Sequence, residues 1–376
     1  MRPRQSHPPH PWSGTGASPS EVCSVLAQLL RDEDADLAGS LGNPAAVRGM
    51  DALVARHKVG PYLKQRLARS PVLPALLSET RARIEAAAER QKGMAARSLA
   101  ALEDVGAALD GADVPFLLVK GLEMAQRLFG GVTHRGFWDL DVLVREGDRE
   151  RASRVLESRG FTRVSSVFLS ERLAATFVHA FDFAREDCSL DLHWSLSRLP
   201  GVLPDMEGLF ARAEWIRLGG RRVRVLALED ELHFVLISVF ADIQRGAMRL
   251  QSFVDLFALL RDQPDLDWSG FFDRRRAEGT DRVCRAILRL FLSALGLEGR
   301  FKALREAIGP RTPAEAIESV VEASTLEWRA KRWASGYLPV SPAFALAWWS
   351  VSLPFRVAGS HPRFRRRLRD AAASRS

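Results

Sequence analysis

Cysteine is scarce in this chain, with only 3 residues among 376, namely Cys23, Cys188 and Cys284. Their odd number and wide spacing give no basis for a disulfide partner or a Cys/His zinc site, and they fit a reducing cytoplasm. The sequence also lacks a P-loop, a GxSxG turn and an HExxH helix. The common signatures of P-loop nucleotide hydrolysis, serine hydrolysis and zinc proteolysis are therefore missing.

Long uninterrupted apolar runs are missing as well. Residues 1–19 are rich in Pro, Ser and Gly without an apolar segment, so we expect a disordered leader and not a signal peptide. The segment Trp333–Phe355 carries no charge, but three prolines interrupt it: Pro339, Pro342 and Pro354. A membrane-spanning helix needs about 20 apolar residues. We therefore expect a buried helix here, with a membrane-surface contact or a spanning helix as the alternatives.

Positive charge is in excess, with a formal net charge of +8 and a pI near 10.0. Part of it lies in a basic C-terminal tail that contains Arg363, Arg365, Arg366, Arg367 and Arg369. Such a balance favours negatively charged partners, including nucleotides, RNA or an anionic membrane surface. Simple solubility charge explains the excess equally well. The expected location is the cytoplasm, with peripheral membrane contact through the tail left open.

The residue patterns divide the chain into three parts after the leader. Residues 20–110 indicate helices, most clearly in Ser78–Leu109, where apolar residues recur every three or four positions. Residues 111–227 alternate short apolar strands with helices. Residues 228–376 return to a helical pattern. The mixed centre predicts an α+β core with a mixed sheet, flanked by N- and C-terminal helical regions.

Two aspartates occupy one face of a short predicted strand. Side chains alternate along a strand, so Asp139 and Asp141 share a face in the sequence DLDVLV, while Leu140, Val142 and Val144 point into the core. An edge strand with aspartates on its wet face is the ordinary alternative for this pattern taken alone.

A third aspartate follows on a later strand. The sequence LDLHW places Asp191 and His193 on one face. Carboxylates that converge from neighbouring strands repel each other unless a cation lies between them, and magnesium prefers oxygen ligands. We therefore predict that the three aspartates bind magnesium, and we expect His193 to be a hydrogen-bonded histidine in preference to a ligand.

An anion site is predicted just before the acidic strand. Lys120 and Gly121 stand where the apolar run PFLLV meets a helix. Glycine lets a ligand approach the backbone closely, and a helix N-terminus offers free N–H groups to a phosphate. Lys120 adds a positive charge there, with a tight-turn glycine beside a solvated lysine as the ordinary alternative. Arg135, in the loop that leads into the acidic strand, is a further candidate for phosphate binding, with simple surface exposure as its alternative.

Together these motifs resemble an uncharacterised bacterial nucleotidyltransferase family of the polymerase-β-like nucleotidyltransferase superfamily. The motifs that carry the resemblance are LLVKG (117–121), Arg135, DLDVLV (139–144) and DLHW (191–194). It covers residues 114–194 well and extends weakly over 228–260. The resemblance implies a polymerase-β-like core and Mg-dependent transfer of a nucleoside monophosphate from an NTP to a hydroxyl of a small molecule, RNA or protein, with release of pyrophosphate.

The resemblance also implies roles for individual residues. Asp139 and Asp141 would bind both of two Mg²⁺ ions, and Asp191 would complete the acceptor-side ion and help to deprotonate the acceptor hydroxyl. Lys120 and Gly121 would hold the NTP phosphates, with Arg135 within reach.

One position departs from the superfamily pattern. The usual turn there is Gly-Gly or Gly-Ser, whereas Leu122 follows Gly121 here and offers no hydroxyl to a phosphate. This departure keeps a second hypothesis open, in which the chain is a catalytically degenerate module that binds a nucleotide or a partner without turnover.

The basic tail generates the first testable prediction. If the tail and the uncharged segment Trp333–Phe355 bind anionic surfaces, removal of residues 335–376 will lower binding to anionic liposomes or to RNA at low salt, because phosphate contacts release counterions. Co-sedimentation and filter binding measure this. Unchanged binding of the truncated chain would exclude the tail as a docking element.

Overall fold

A computed structural model describes residues 19–309, apart from 32, 34–36, 40–42, 69, 165–179, 187, 197–204 and 246–248. Residues 1–18 of the predicted leader, the uncharged segment 333–355 and the basic tail lie outside the described residues. Within the described part, no helix is both long enough and apolar enough to cross a membrane.

One mixed sheet lies at the centre of the described chain. Its strands, in chain order, are β1 (Phe116–Val119), β2 (Asp139–Val144), β3 (Thr162–Arg163), β4 (Ala180–Arg185), β5 (Cys188–His193), β6 (Glu214–Leu218) and β7 (Arg221–Val225). They lie side by side in the order β3-β4-β5-β2-β1-β7-β6. Strand β2 is antiparallel to β1 and parallel to β5. The sheet confirms the predicted α+β class.

Helices surround this sheet. Those before β1 are α1 (Pro19–Arg31), α2 (Pro44–Arg56), α3 (Gly60–Leu67), α4 (Val72–Ala75) and α5 (Ser78–Gly111). Those between strands are α6 (Gly121–Phe129), α7 (Arg149–Ser158) and α8 (Met206–Arg212). Those after β7 are α9 (Leu228–Arg245), α10 (Gln251–Arg261), α11 (Trp268–Ala277), α12 (Asp281–Leu295) and α13 (Lys302–Ile308). Helical regions thus flank the sheet as predicted, within the part of the chain that the structure describes.

The two faces of the sheet belong to two separate apolar cores. Leu118, Val142 and Leu192 stand side by side on one face and pack with α5. Val119 and Leu143 stand on the other face, within a larger core built from helices before and after the sheet. Because the aspartates of β2 share the face of Leu143, they point toward this larger helical core and not toward α5.

Helix α5 forms for the reason its sequence suggests. Its buried positions are spaced by three and four residues, which is the repeat of one helix face: Ile84, Ala88, Gln91, Ala95, Ser98, Leu102, Val105 and Leu109. The helix also fixes the approach to the acidic strand, because the side-chain oxygen of Gln91 accepts a hydrogen bond of 3.2 Å from the backbone N–H of Phe137.

A buried ion pair ties the loop before β2 to helix α10. The guanidinium of Arg135 donates two hydrogen bonds of 2.7 Å to the two carboxylate oxygens of Asp255, and both side chains are buried. Gln251 donates a further hydrogen bond of 2.9 Å to Asp255. The parallel fork of guanidinium and carboxylate fixes the loop geometrically as well as electrostatically.

Breaking this pair on one side should destabilise the fold strongly. Asp255→Ala leaves the buried Arg135 charge without a partner, so we expect a loss of about 3–5 kcal/mol in the free energy of unfolding. The double variant Arg135→Met/Asp255→Leu should lose much less, because no uncompensated charge remains. Urea denaturation measures all three proteins.

The surface pair Arg261–Asp262 on the same helix supplies the control. Asp262→Ala removes the same kind of group from an exposed position, where an ion pair contributes at most about 1 kcal/mol. Equal losses for Asp255→Ala and Asp262→Ala would contradict a structural role for the buried pair.

Candidate functional site

The parallel pairing of β2 with β5 brings two of the predicted aspartates together. Asp141 stands directly opposite Asp191 in the register of the two strands, and Asp139 stands opposite Ser189. Opposite residues of neighbouring strands hold their side chains on the same face and close together. On the other side of β5, Asp182 of β4 stands opposite Asp191. A row of three carboxylates therefore crosses three adjacent strands.

His193 supports the central carboxylate of this row. Its ring nitrogen Nε2 lies 2.8 Å from Oδ1 of the buried Asp141. An ionised carboxylate only accepts hydrogen bonds, so the imidazole donates through Nε2. The ring also meets that of Phe234 edge-on, with centroids 6.5 Å apart. His193 is therefore a hydrogen-bonded histidine, as predicted, and it fixes the orientation of Asp141.

The donor set suits a hard divalent cation. One ligand atom each from Asp141, Asp191 and His193 can be chosen so that all lie within 4.8 Å of one another. The two carboxylates supply the oxygen ligands that magnesium prefers. Asp139 is not part of this group, although it lies two residues before Asp141 on the same face and interacts with it electrostatically. Its predicted role as a ligand stays a prediction.

The pKa values of the three aspartates reflect how close their negative charges lie to one another. Burial, and then the negative charges of Asp141 and Asp139, raise the pKa of Asp191 to about 8. Burial and the charge of Asp141 also raise the pKa of Asp139. Burial alone would raise the pKa of Asp141, but the charge of Lys120 and the hydrogen bond from His193 outweigh it and hold that pKa below its usual value. A bound cation would relieve the remaining repulsion.

The predicted Lys-Gly turn lies beside these acids. Lys120 adopts φ 56° and ψ −152°, a backbone region that residues other than glycine rarely occupy. Gly121 follows with φ 34° and begins helix α6. A Cβ on Gly121 would lie 3.4 Å from the backbone oxygen of Asp139, so the turn packs closely on the start of β2. The Lys120 ammonium lies 4.1 Å from the ring centroid of Phe234. The structure thus joins the predicted anion turn to the acidic strand.

The structure also shows what Leu122 and Arg135 contact. Leu122 is buried and belongs to the core on the α5 side of the sheet, so the residue after Gly121 serves packing. The guanidinium of Arg135 is held by Asp255, and its charge helps to lower the pKa of Asp141. Contact of Arg135 with a phosphate stays a prediction.

A second pair of carboxyl groups, missed in the sequence, lies close to the turn. Glu123 of α6 and Glu231 of α9 are both completely buried. Burial and the charge of Glu231 raise the pKa of Glu123 well above its usual value, and burial raises that of Glu231 to about 7. Arg127 lies 3.4 Å from Glu123. Glutamates in the first turn of a helix normally indicate a solvated end, so the sequence carried no signal for this pair.

Comparison with known proteins yields one family. A model of a family described as uncharacterised nucleotidyltransferase matches residues 45–296, which is more than half of the chain. It confirms the resemblance drawn from the motifs. No curated protein matches significantly.

Solved structures give distant likenesses. The solution structure of the antibiotic-resistance factor ANT(2'')-Ia is 14% identical with a TM-score of 0.35, and the match covers 57% of this chain and 97% of that one. A crystal structure of ANT(2'')-Ia in complex with adenylyl-2''-tobramycin is 18% identical with a TM-score of 0.28, covering 56% and 95%. An antigenic nucleotidyltransferase-like protein from Paracoccidioides brasiliensis is 16% identical with a TM-score of 0.33, covering 55% and 89%.

The raised pKa of Asp191 predicts how stability depends on pH without metal. The folded chain holds a proton on Asp191 up to a pKa of about 8, whereas an unfolded aspartate loses it near pH 4. Between these values the folded state binds more protons, so stability falls as pH rises. Asp191→Asn should therefore make the fall of the unfolding free energy with pH less steep. The difference is up to about 1.4 kcal/mol per pH unit, which is the contribution of one proton.

Urea denaturation in EDTA from pH 5 to pH 9 measures this slope, and Asp113→Asn provides an exposed control outside the cluster. Added Mg²⁺ should stabilise the wild type more at pH 8 than at pH 6, because the ion replaces the proton. Identical slopes for the wild type and Asp191→Asn would contradict the crowding of the cluster.

Proposed function

The chain belongs to the uncharacterised nucleotidyltransferase family, and from this premise we propose that it transfers a nucleoside monophosphate from an NTP to a hydroxyl acceptor. The observation that carries the proposal is the pairing of Asp141 with Asp191 in register, beside the Lys120 turn. Carboxylates next to a phosphate-binding turn are what phosphoryl chemistry requires, because its catalysis is mainly positioning and charge neutralisation.

The proposed metal ligands are Asp139, Asp141 and Asp191. Bound Mg²⁺ would neutralise the charge of the NTP phosphates and of the transition state, which is the usual contribution of two ions in such sites. The hydrogen bond from His193 holds Asp141 ready for this role, because a fixed carboxylate needs no rearrangement when a cation binds.

Phosphate binding and proton transfer are assigned to groups of the protein itself. Lys120 and the backbone N–H groups at the start of α6 hold the triphosphate, with Arg135 as a further candidate for phosphate contact. The acceptor oxygen bonds to the α-phosphorus, the bond from that phosphorus to the bridging oxygen breaks, and pyrophosphate leaves. Asp191 accepts the hydroxyl proton. A bound cation would keep Asp191 ionised, as a general base must be, because it offsets the burial and the neighbouring charges that raise the pKa of this carboxyl.

The buried position of Leu122 favours a second candidate function. The Leu122 side chain packs into the core and has no hydroxyl, so the position after Gly121 offers a phosphate no side-chain donor. A degenerate module that binds a nucleotide or a partner without transfer is consistent with this. Release of pyrophosphate from an NTP by the wild type would exclude it.

Neutralising the aspartates should abolish transfer and preserve the fold. Asp139→Asn and Asp141→Asn are each expected to lower the transfer rate at least about 100-fold, because they remove charge where the metal-phosphate complex forms. The measurement first records thermal stability with each of the four NTPs, with and without Mg²⁺. It then follows label from the α-phosphate of the stabilising NTP into small-molecule, RNA and protein acceptors.

Asp113→Asn makes the same chemical change at an exposed position and should leave the rate unchanged. Circular dichroism shows whether each variant is folded. Full activity in both Asp139→Asn and Asp141→Asn would refute nucleotidyl transfer at this site. A Mg²⁺-dependent stabilisation without any transfer would favour the degenerate module.

A further inference from the structure

A lysine from the helices before the sheet reaches the acidic cluster. Lys58 lies in the short turn between α2 and α3 and has φ 60°, an uncommon value for a residue other than glycine. The turn is fixed from two sides. The backbone N–H of Leu250 donates a 3.2 Å hydrogen bond to Nδ1 of His57, and a Cβ on Gly136 would lie only 2.5 Å from the Lys58 carbonyl oxygen.

The side chain of Lys58 lies over an aromatic ring at the start of the acidic strand. Its ammonium is 5.1 Å from the ring centroid of Trp138, which is half exposed. It interacts electrostatically with Asp139 first and Asp141 second, without forming an ion pair with a described carboxylate. Lys120, by contrast, also interacts with Asp191. Both lysines interact with Asp139.

Two arginines add positive charge near Lys58. Among these charges, Arg249 lowers the pKa of Lys58 most; it is exposed and forms no ion pair within the described chain. Arg135 has the next largest effect, and its own charge is balanced by Asp255. Burial and the charge of Arg249 lower the pKa of Lys58 to about 8. The two cations repel each other although Asp139 interacts with Lys58, and an anion that bridges them would lower that cost.

We propose that Lys58, assisted by Arg249, binds the β- and γ-phosphates of the donor NTP and retains them as pyrophosphate leaves. The inference rests on the proposed function, because it assigns the polyphosphate of the same reaction to this side of the cluster. The position fits the chemistry. A polyphosphate carries more negative charge than the metal site alone neutralises, and Lys58 stands beside Asp139 on a turn that the fold holds rigidly.

Binding of three probes tests this inference. Isothermal titration in Mg²⁺ compares the NTP that stabilises the wild type, the matching nucleoside monophosphate and inorganic pyrophosphate. Lys58→Met keeps the apolar stem and removes the charge, so it should weaken NTP and pyrophosphate binding at least about tenfold. The monophosphate should change less than about twofold. Lys58→Arg should retain most of the affinity, and Arg249→Ala should weaken the same two probes less than Lys58→Met.

Lys302→Met is the matched control, because it removes an exposed lysine on α13 and should leave all three affinities unchanged. Unchanged NTP and pyrophosphate binding in a folded Lys58→Met would overturn the inference. So would an equal loss for NTP and monophosphate. Pyrophosphate binding that depends on Lys58, in a wild type that transfers nothing, would support the anion site while refuting the proposed function.

Discussion

Mutual repulsion of carboxylates on one face of a sheet is the constraint to which the surrounding structure responds. The register of β2 and β5 forces Asp141 and Asp191 side by side, and the burial of Asp141 with the partial burial of Asp191 makes the repulsion stronger than it would be in water. The fold compensates Asp141 with Lys120 and His193, whereas Asp191 is left with a pKa of about 8. An arrangement that leaves one carboxylate only partly compensated is suited to receive a cation.

The neighbouring interactions can be understood from this constraint. The Arg135–Asp255 pair fixes the loop that leads into β2, and Gln91 fixes its last residues from the opposite core. The strained backbone of Lys120 and the close approach of Gly121 to Asp139 hold the turn against the same strand. The site is thus preorganised by contacts from helices before and after the sheet, which is how rigid catalytic and binding sites are supported.

Several features of the chain were predictable from local patterns. Alternation in DLDVLV and LDLHW predicted which residues face the core, and the buried Leu140, Val142 and Leu192 confirm it. The apolar spacing of α5 predicted a long helix, and the structure shows one over Ser78–Gly111. The motifs also identified the family. These inferences succeed because side-chain direction in a strand or helix depends only on neighbouring residues.

The sequence by itself determined the α+β core, the inward faces of its strands and the acids that share a face, since each follows from short-range periodicity. Tertiary structure alone decided that Asp191 pairs with Asp141 and that Asp182 extends the row. It alone buried Glu123 against Glu231, gave Arg135 its partner Asp255 and brought Lys58 to the acids. Strand order and helix packing bring these residues together over long sequence separations, and no local pattern records those separations.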